Sequence, residues 1–191
     1  MIKAAFVQVQ DNAPIIGPDG KPFAAVVARG KAPVSYKPMT TEERAAWASA
    51  AERKLHDVSA DGHVWLGLSI TTQELLLLDP LYQERNNWYV AKKLEQKIGP
   101  FQRRLLDMYE LNQVYLAKQE INAAIQESGL PGNVVQLLND EWQWSGSTVE
   151  DKEKVAHIQH FGDGDKESDY KSWGRCCDVR FVLSLACKSR S

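Results

Sequence analysis

Side chains suited to recognition are concentrated near the C-terminus of the chain. Tyr170, Trp173 and Arg175 lie close together in the polar stretch GDGDKESDYKSWGR. Tyrosine and tryptophan offer large rigid contact areas, and arginine offers a planar fork of donors for carboxylate, sulfate or amide groups. This stretch and the preceding EDKEK are too long for minimal hairpin turns, so we predict a display surface between Val149 and Arg175. Trp173 would equally well cover a sheet edge, and both interpretations stay open.

The histidines and aspartates of the same region do not form a metal or catalytic motif. His157 and His160 are three residues apart on a predicted strand and would face opposite sides, which disfavours a shared metal or a catalytic pair. For Asp163 and Asp165 we favour a solvated turn over a binding role. No Ser/His/Asp set and no paired-carboxylate motif stands out.

The three cysteines, Cys176, Cys177 and Cys187, occur late in the chain. An odd number argues against a fold stapled only by disulfides, and zinc would need a second pair at ligand spacing. We expect reduced, partly buried thiols. A bridge from Cys187 to one of the vicinal pair is the alternative. The sequence predicts no metal and no cofactor.

Composition excludes several partners. The chain has 191 residues, 43% of them hydrophobic and 25% charged, with a net charge of -2, which gives no general attraction to nucleic acid. The longest apolar run, Leu75 to Leu78, is far too short to span a bilayer, so we expect no membrane insertion. The N-terminus lacks the features of a secretory signal. As written, the chain is expected to be virion-associated or cytoplasmic, or at a cell surface if its start is engineered.

The elements that must position these residues fall into two groups. In the first half we predict strands at Phe6–Val9 and Phe23–Ala28, then a helix from Thr41 to about His56 opened by a capping box of Thr40 and Glu43. A strand follows over 63–70. A second capping box, of Thr71 and Glu74, predicts a short helix ending near Pro80.

The second half is predicted as helices followed by strands. Residues 101 to 128 are typical of two helices joined near 115–118. The short β-type runs WQWS, VAHIQHF and VRFVLSL follow, so the fold class is α+β. Alternation puts Trp142 and Trp144 on one side of a strand, where they would anchor a small sheet against the helices, with Gln143 on the other side. Arg180, among apolar neighbours, is predicted to reach a carboxylate or backbone carbonyls inside the fold.

Five pieces occur in an order that resembles the Lcl C-terminal domain family, found at the end of collagen-like bacterial adhesins and part of the broader group with the C-type lectin fold. They are LLDMYELN (105–112), INAAI (121–125), WSGST (144–148), AHIQHFGDG (156–164) and VRFVLSL (179–185). The likeness covers roughly residues 88 to 187. His157 stands where the family usually has an aromatic residue, and Gly99-Pro100-Phe101 replaces the expected Leu-Pro before the first helix.

The resemblance implies a C-type lectin-like fold, with two helices packed on small antiparallel sheets (61–191) and an N-terminal extension (1–60). It implies a non-enzymatic ligand-binding protein, similar to adhesin tips and to variable proteins diversified by retroelements in phages and bacteria. The calcium-binding tripeptides of animal lectins are absent from the sequence. Expected partners are a protein or glycan on a cell surface, with a homo-oligomer as a further possibility. The implied ligand-binding residues are Gln143, His157, Gln159, Asp165, Tyr170, Lys171, Trp173 and Arg175, and the implied core residues are Trp142, Trp144, Phe161 and Arg180.

Two alternatives remain. Formylglycine-generating oxidases share the broad fold, but they depend on a spaced reactive cysteine pair that the vicinal Cys176 and Cys177 fit poorly. A structural or assembly component of a phage or surface particle is the other alternative, with residues 1–60 mediating oligomerisation.

Overall fold

A computed structural model describes residues 34–81, 86–173 and 177–187 of the chain. These residues form a mixed α+β structure with two sheets, and they belong to one compact unit, residues 32–191. The strands predicted at 6–9 and 23–28, and the candidate ligand residue Arg175, lie outside the described residues.

The helices and strands alternate irregularly along the chain. The helices are α1 (Thr41–Ala48), α2 (Trp88–Lys93), α3 (Met108–Leu116) and α4 (Lys118–Ser128). The strands are β1 (Val64–Leu68), β2 (Glu74–Leu78), β3 (Gln96–Ile98), β4 (Phe101–Leu105), β5 (Trp142–Thr148), β6 (Val155–His160), β7 (Lys166–Tyr170), β8 (Cys177–Asp178) and β9 (Phe181–Ala186).

The first sheet has five antiparallel strands in the order β1-β2-β9-β4-β3. The last strand, β9, therefore lies at its centre, paired with β2 on one side and with β4 on the other. Both faces of β2 are covered: Leu76 and Leu78 face the main core, whereas Leu77 faces the cluster beneath α1.

The helix predicted from Thr71 to Pro80 is wrong, because this stretch contains β2. A short apolar run such as Leu75–Leu78 fits a strand buried on both faces as well as a buried helix. Pairing with β1 and β9 decides in favour of the strand. Thr71 uses its hydroxyl instead to donate to the Asp107 carboxylate, 2.7 Å away.

The capping box of Thr40 and Glu43 is confirmed, but the helix is shorter than predicted. It ends at Ala48 rather than near His56. Arg53 folds back, donating from Nε to the Trp47 carbonyl oxygen at 3.2 Å with its guanidinium 4.2 Å from the Trp47 ring. Leu55, which lies beyond the end of this helix, is 59% exposed.

The two helices predicted over 101–128 are confirmed from Met108 onward, with their junction at Ala117. The first five residues of the range form β4 instead, paired with β9. The true start of α3 is a capping box in which Asp107 caps the Glu110 amide and Glu110 reaches back to the Asp107 amide. Gly129 ends α4 in the left-handed conformation, which is common for glycine at the end of a helix.

The second sheet has the order β7-β6-β5-β8. Strands β5, β6 and β7 are antiparallel, whereas the short β8 joins β5 in parallel, a departure from the all-antiparallel sheets we expected. Trp144 is 1% exposed and Trp142 packs beside it, so both rings lie on the sheet face that meets α2 and β9, as alternation predicts.

Candidate functional site

The end of β7 carries an exposed pair of aromatic rings. Tyr170 is the last residue of β7, and Trp173 follows after a tight turn in which the Trp173 amide donates to the Tyr170 carbonyl oxygen at 2.9 Å. Their ring centroids are 5.9 Å apart and tilted by 41°. The residues are 53% and 60% exposed. The turn therefore presents two adjacent ring faces to solvent.

Lys171, between the two rings, points inward and fixes this turn. It is 5% exposed, and its ammonium group donates to the Glu153 carbonyl oxygen at 2.6 Å. The same group lies 4.4 Å from the centroid of the Trp88 ring, a cation–π contact. Backbone bonds join Lys171 to Lys154 and to Trp88. Lys171 thus ties the turn to α2 and to the end of the β5–β6 connection.

The β5–β6 connection borders the aromatic pair. A shallow open depression is lined by residues 148–155 and by Tyr170. Its exposed turn holds the charged residues Glu150, Asp151, Lys152, Glu153 and Lys154. Asp151 adopts a left-handed backbone conformation, which aspartate tolerates better than most residues. The surface that results combines aromatic faces with charges of both signs, which suits a polar ligand with some apolar area.

The aromatic pair, Lys171 and the β5–β6 turn (150–154) are together called the display surface below. Trp88, which sequence reasoning did not assign, is its main support. Besides contacting Lys171, its indole N–H donates to the Ser145 carbonyl oxygen at 2.8 Å. The only sequence signal was a lone tryptophan after Asn86 and Asn87.

Two implied ligand residues, Gln143 and Gln159, lie in the interior. They pair directly across β5 and β6 and are 2% and 0% exposed. The Gln143 amide donates to the Asn139 side chain and the Gln159 amide to the Asn112 side chain, each at 3.1 Å. These bonds attach the sheet to α3 and to the segment before β5. The two glutamines thus lie beneath the surface, away from any external ligand.

The two strand histidines do not converge. His157 is half-buried and pairs with Ser168, on the strand face opposite to that of His160. His160 lies against Trp142, with ring centroids 5.0 Å apart, and its Nδ1 is 2.7 Å from the Asp163 carboxylate. The hydrogen bond with His160 lowers the pKa of Asp163. This contact closes the β6–β7 turn.

Asp165 takes part in the same turn. Its amide donates to the Asp163 side chain at 3.1 Å and its carbonyl oxygen accepts from the His160 amide at 2.8 Å. The side chain is exposed, as the solvated-turn interpretation predicts. Asp165 is not among the residues that line the depression beside Tyr170.

The implied core residues occupy the interior to different degrees. Phe161 is 2% exposed and its ring lies 5.8 Å from that of Tyr115. Arg180 is 4% exposed and donates to the carbonyl oxygens of Asp79, Pro80 and Gln136 at 2.7–2.9 Å. From its position just before β9, Arg180 binds the segment that follows β2 and the segment that precedes β5. Trp142 is partly exposed.

The described residues hold neither a metal cluster nor a membrane span. No group of three or more His, Cys, Asp or Glu side chains within them is arranged to hold a metal ion. Cys177 is buried and Cys187 is exposed, whereas Cys176 lies outside the described part of the chain. No helix in the described ranges is both long enough and apolar enough to cross a bilayer.

Comparison with known proteins gives the chain no family. No model of a known protein family matches it, and no curated protein matches it either.

Proposed function

We propose that the protein is a non-enzymatic ligand-binding protein that contacts a glycan or protein on a cell surface through its display surface. The observation that carries this proposal is the exposed Tyr170–Trp173 pair. Large aromatic side chains held in place at the surface bind with little loss of conformational entropy. Singly exposed apolar residues are ordinary, but a tyrosine and a tryptophan side by side on an anchored turn are of the residue types that dominate binding hot spots.

The anchoring of the turn supports the same proposal. Lys171 contributes the cation that holds the turn, so the two rings are positioned before any ligand arrives. A preformed site loses less free energy to ordering on binding than a mobile one. The charged turn at 150–154 adds donors and acceptors of both signs beside the rings.

We further propose that the scaffold is C-type lectin-like. Three features support this: the C-terminal strand β9 lies at the centre of the first sheet, two consecutive helices precede the second sheet, and the second sheet carries the long turns. Loops displayed on a fixed scaffold are the usual place for recognition. Relation to retroelement-diversified variable proteins and presence on a virion remain part of this proposal.

No specific observation favours the oxidase alternative. Cys177 is 0% exposed and packs with Trp144 and Phe181, where a substrate has no access to its sulfur.

The proposal is tested by a binding screen. The full chain is applied to a panel of immobilised bacterial and animal glycans and cell-surface proteins. We expect at least one saturable binder, and we expect Trp173→Ala to weaken its binding at least about tenfold, since buried tryptophan contacts often contribute more than about 1 kcal/mol. The matched control is Tyr36→Ala, another aromatic residue of similar exposure, 52%, which should leave affinity unchanged. If the native chain, Trp173→Ala and Tyr170→Ala all bound the ligand with equal affinity, the display surface would not be the binding site.

A further inference from the structure

A second concave site lies away from the display surface, between β1, α3 and α4. It is a cavity of about 220 Å³, lined by Leu55, His56, Leu66, Leu68, Ser69, Ile70, Leu76, Leu106, Tyr109, Glu110, Gln113, Val114, Ala117 and Ile121. None of these residues belongs to the display surface. We call it the β1–α3 cavity.

The floor of the β1–α3 cavity is part of the main hydrophobic core. Leu76, Leu106, Val114 and Ile121 are between 0% and 4% exposed and belong to one cluster of buried side chains. The cavity is therefore an opening into the core rather than a groove on the surface. An apolar cavity of about 150 Å³ is large enough to bind benzene, so this one can enclose a single aromatic ring with a substituent.

The rim is apolar as well. Leu55, Leu68, Ile70 and Tyr109 are 59%, 48%, 62% and 45% exposed, and all four line the opening. A β-bulge at Trp65–Gly67 shapes this edge of β1. Gly67 is left-handed there, and a Cβ at this position would lie 3.3 Å from the Leu55 side chain. Bulges commonly re-aim side chains next to binding sites.

The charged residue of the cavity is already satisfied within the protein. The Glu110 carboxylate accepts from Arg104 on both oxygens, at 2.6 and 2.8 Å, and from the Ser69 hydroxyl at 2.6 Å. Burial opposes ionisation of Glu110, but hydrogen bonds from Arg104 and Ser69 lower its pKa, so it stays an anion paired with a cation. Because its charge is already paired, Glu110 does not require a cationic ligand. Its negative charge also disfavours an anionic ligand.

His56 supplies the polar contact for a ligand. It is half-buried and lines the cavity, and among the described residues its ring has no hydrogen-bond partner. Its backbone is left-handed, with φ of 65°, an uncommon conformation for a residue other than glycine. Burial lowers the pKa of His56. The neutral imidazole offers one donor and one acceptor beside an apolar chamber.

We propose that the β1–α3 cavity binds a small uncharged molecule, of the size of one substituted aromatic or alicyclic ring, with a hydroxyl or amide group that hydrogen-bonds to His56. The volume is too small for a helix or a peptide strand. The paired Glu110 and the apolar walls exclude a charged ligand, because its desolvation would go uncompensated. Ligand sites of this kind have mostly apolar walls and few polar groups.

The test uses phenol as probe and benzoate as its charged counterpart. Each is titrated into the full chain while backbone amide shifts are followed by NMR. We expect saturable phenol shifts at residues 55–56, 66–70 and 106–121 with a Kd on the order of 1 mM or tighter. We expect benzoate to bind at least about tenfold more weakly, because its carboxylate meets no cation that is free to pair with it.

Two variants distinguish binding in the cavity from binding elsewhere on the surface. Ala117→Leu adds volume inside the cavity and should abolish the phenol shifts. Leu116→Ala changes a neighbouring residue that is 64% exposed and does not line the cavity, and should leave the phenol shifts unchanged.

A third variant, His56→Asn, tests the polar contact. Asparagine tolerates the left-handed backbone, so this variant should weaken phenol binding at least about threefold while leaving the amide spectrum otherwise intact.

Absence of saturable phenol shifts up to about 10 mM, or equal binding of phenol and benzoate, would overturn the proposal. So would unchanged phenol binding in Ala117→Leu. Concentration-dependent shifts of the same amides without probe would show that the apolar rim meets a second copy of the chain, and would also overturn it.

Discussion

At the residue scale, a continuous chain of contacts between buried charged side chains connects several elements of the interior. Asp61 accepts from Arg44 and from Ser59, and lies 3.0 Å from His63. His63 in turn lies 3.7 Å from Asp79, which accepts from Arg103 at 2.9 Å. This chain of contacts joins α1 and β4 to the segment just before β1 and to the residue just after β2. Its members are largely buried, so removing one leaves its partners without compensation.

Asp61 should make the protein sensitive to acid. Burial alone would raise the pKa of Asp61, but hydrogen bonds with His63, Ser59 and Arg44 outweigh it and hold the pKa well below the usual value. A carboxyl with a lowered folded-state pKa contributes its full stabilisation above the unfolded-state pKa of about 3.9 and loses it as the pH falls through the folded-state pKa. Stability should therefore fall below about pH 4.

The test of this assignment is Asp61→Asn. We expect the free energy of unfolding at pH 7 to drop by about 3 kcal/mol and its dependence on acid to become weaker. Asp140→Asn, which alters a 77% exposed partner of Lys118, should cost about 0.5 kcal/mol or less. Urea titrations between pH 2 and 7 measure both quantities. An unchanged acid dependence in Asp61→Asn would contradict the assignment.

At the element scale, the β6–β7 turn and α3 come into direct contact at a glycine. Gly164 has φ of 88°, and a Cβ on it would lie 2.6 Å from the Tyr115 ring. Tyr115 is itself packed edge-on against Phe161. The Gly164 carbonyl oxygen also accepts from the buried Gln159 amide at 3.4 Å. The β6–β7 turn, which leads into β7, therefore packs closely against α3.

Gly164→Ala should therefore destabilise the fold. The left-handed backbone and the contact with Tyr115 together predict a loss of at least about 2 kcal/mol in the free energy of unfolding. Gly132→Ala is the matched control, because a Cβ there meets nothing within 4 Å. That variant should be unchanged or up to about 1 kcal/mol more stable. If urea denaturation gave the same change in the free energy of unfolding for Gly164→Ala and Gly132→Ala, the contact between Gly164 and Tyr115 would not be what constrains this position.

Some helices and strands could be predicted from the sequence, and others were predicted wrongly. The strands around Trp144, Ile158 and Val182 were predictable because each is a short β-type run bounded by charged, Gly- and Asp-rich turn residues. The stretch Thr71–Pro80 was misread because Thr71 and Glu74 imitate a capping box while long-range pairing makes the following leucines a strand. The genuine box at Asp107 and Glu110 has the same spacing and was readable, but the predicted helix over 101–128 obscured it.

At the scale of the whole molecule, the α+β class could be predicted from the order of elements in the sequence, whereas the display surface could be predicted only in part. Tyr170 and Trp173 were readable from residue type, and both are exposed. The inward direction of Lys171 was not, because it depends on Trp88 and Glu153, which are distant in sequence. The β1–α3 cavity was missed for the same reason: its walls come from four separate segments, and no local pattern brings them together.

The central claim is that recognition takes place at the display surface while the scaffold stays fixed. Hydrogen exchange of the full chain, with and without a saturating amount of the strongest binder from the screen, tests it most directly. We predict slower amide exchange in residues 149–155 and 166–173 and no change in the five-stranded sheet. Protection centred on the β1–α3 cavity or on the sheet, with residues 166–173 unaffected, would contradict the claim.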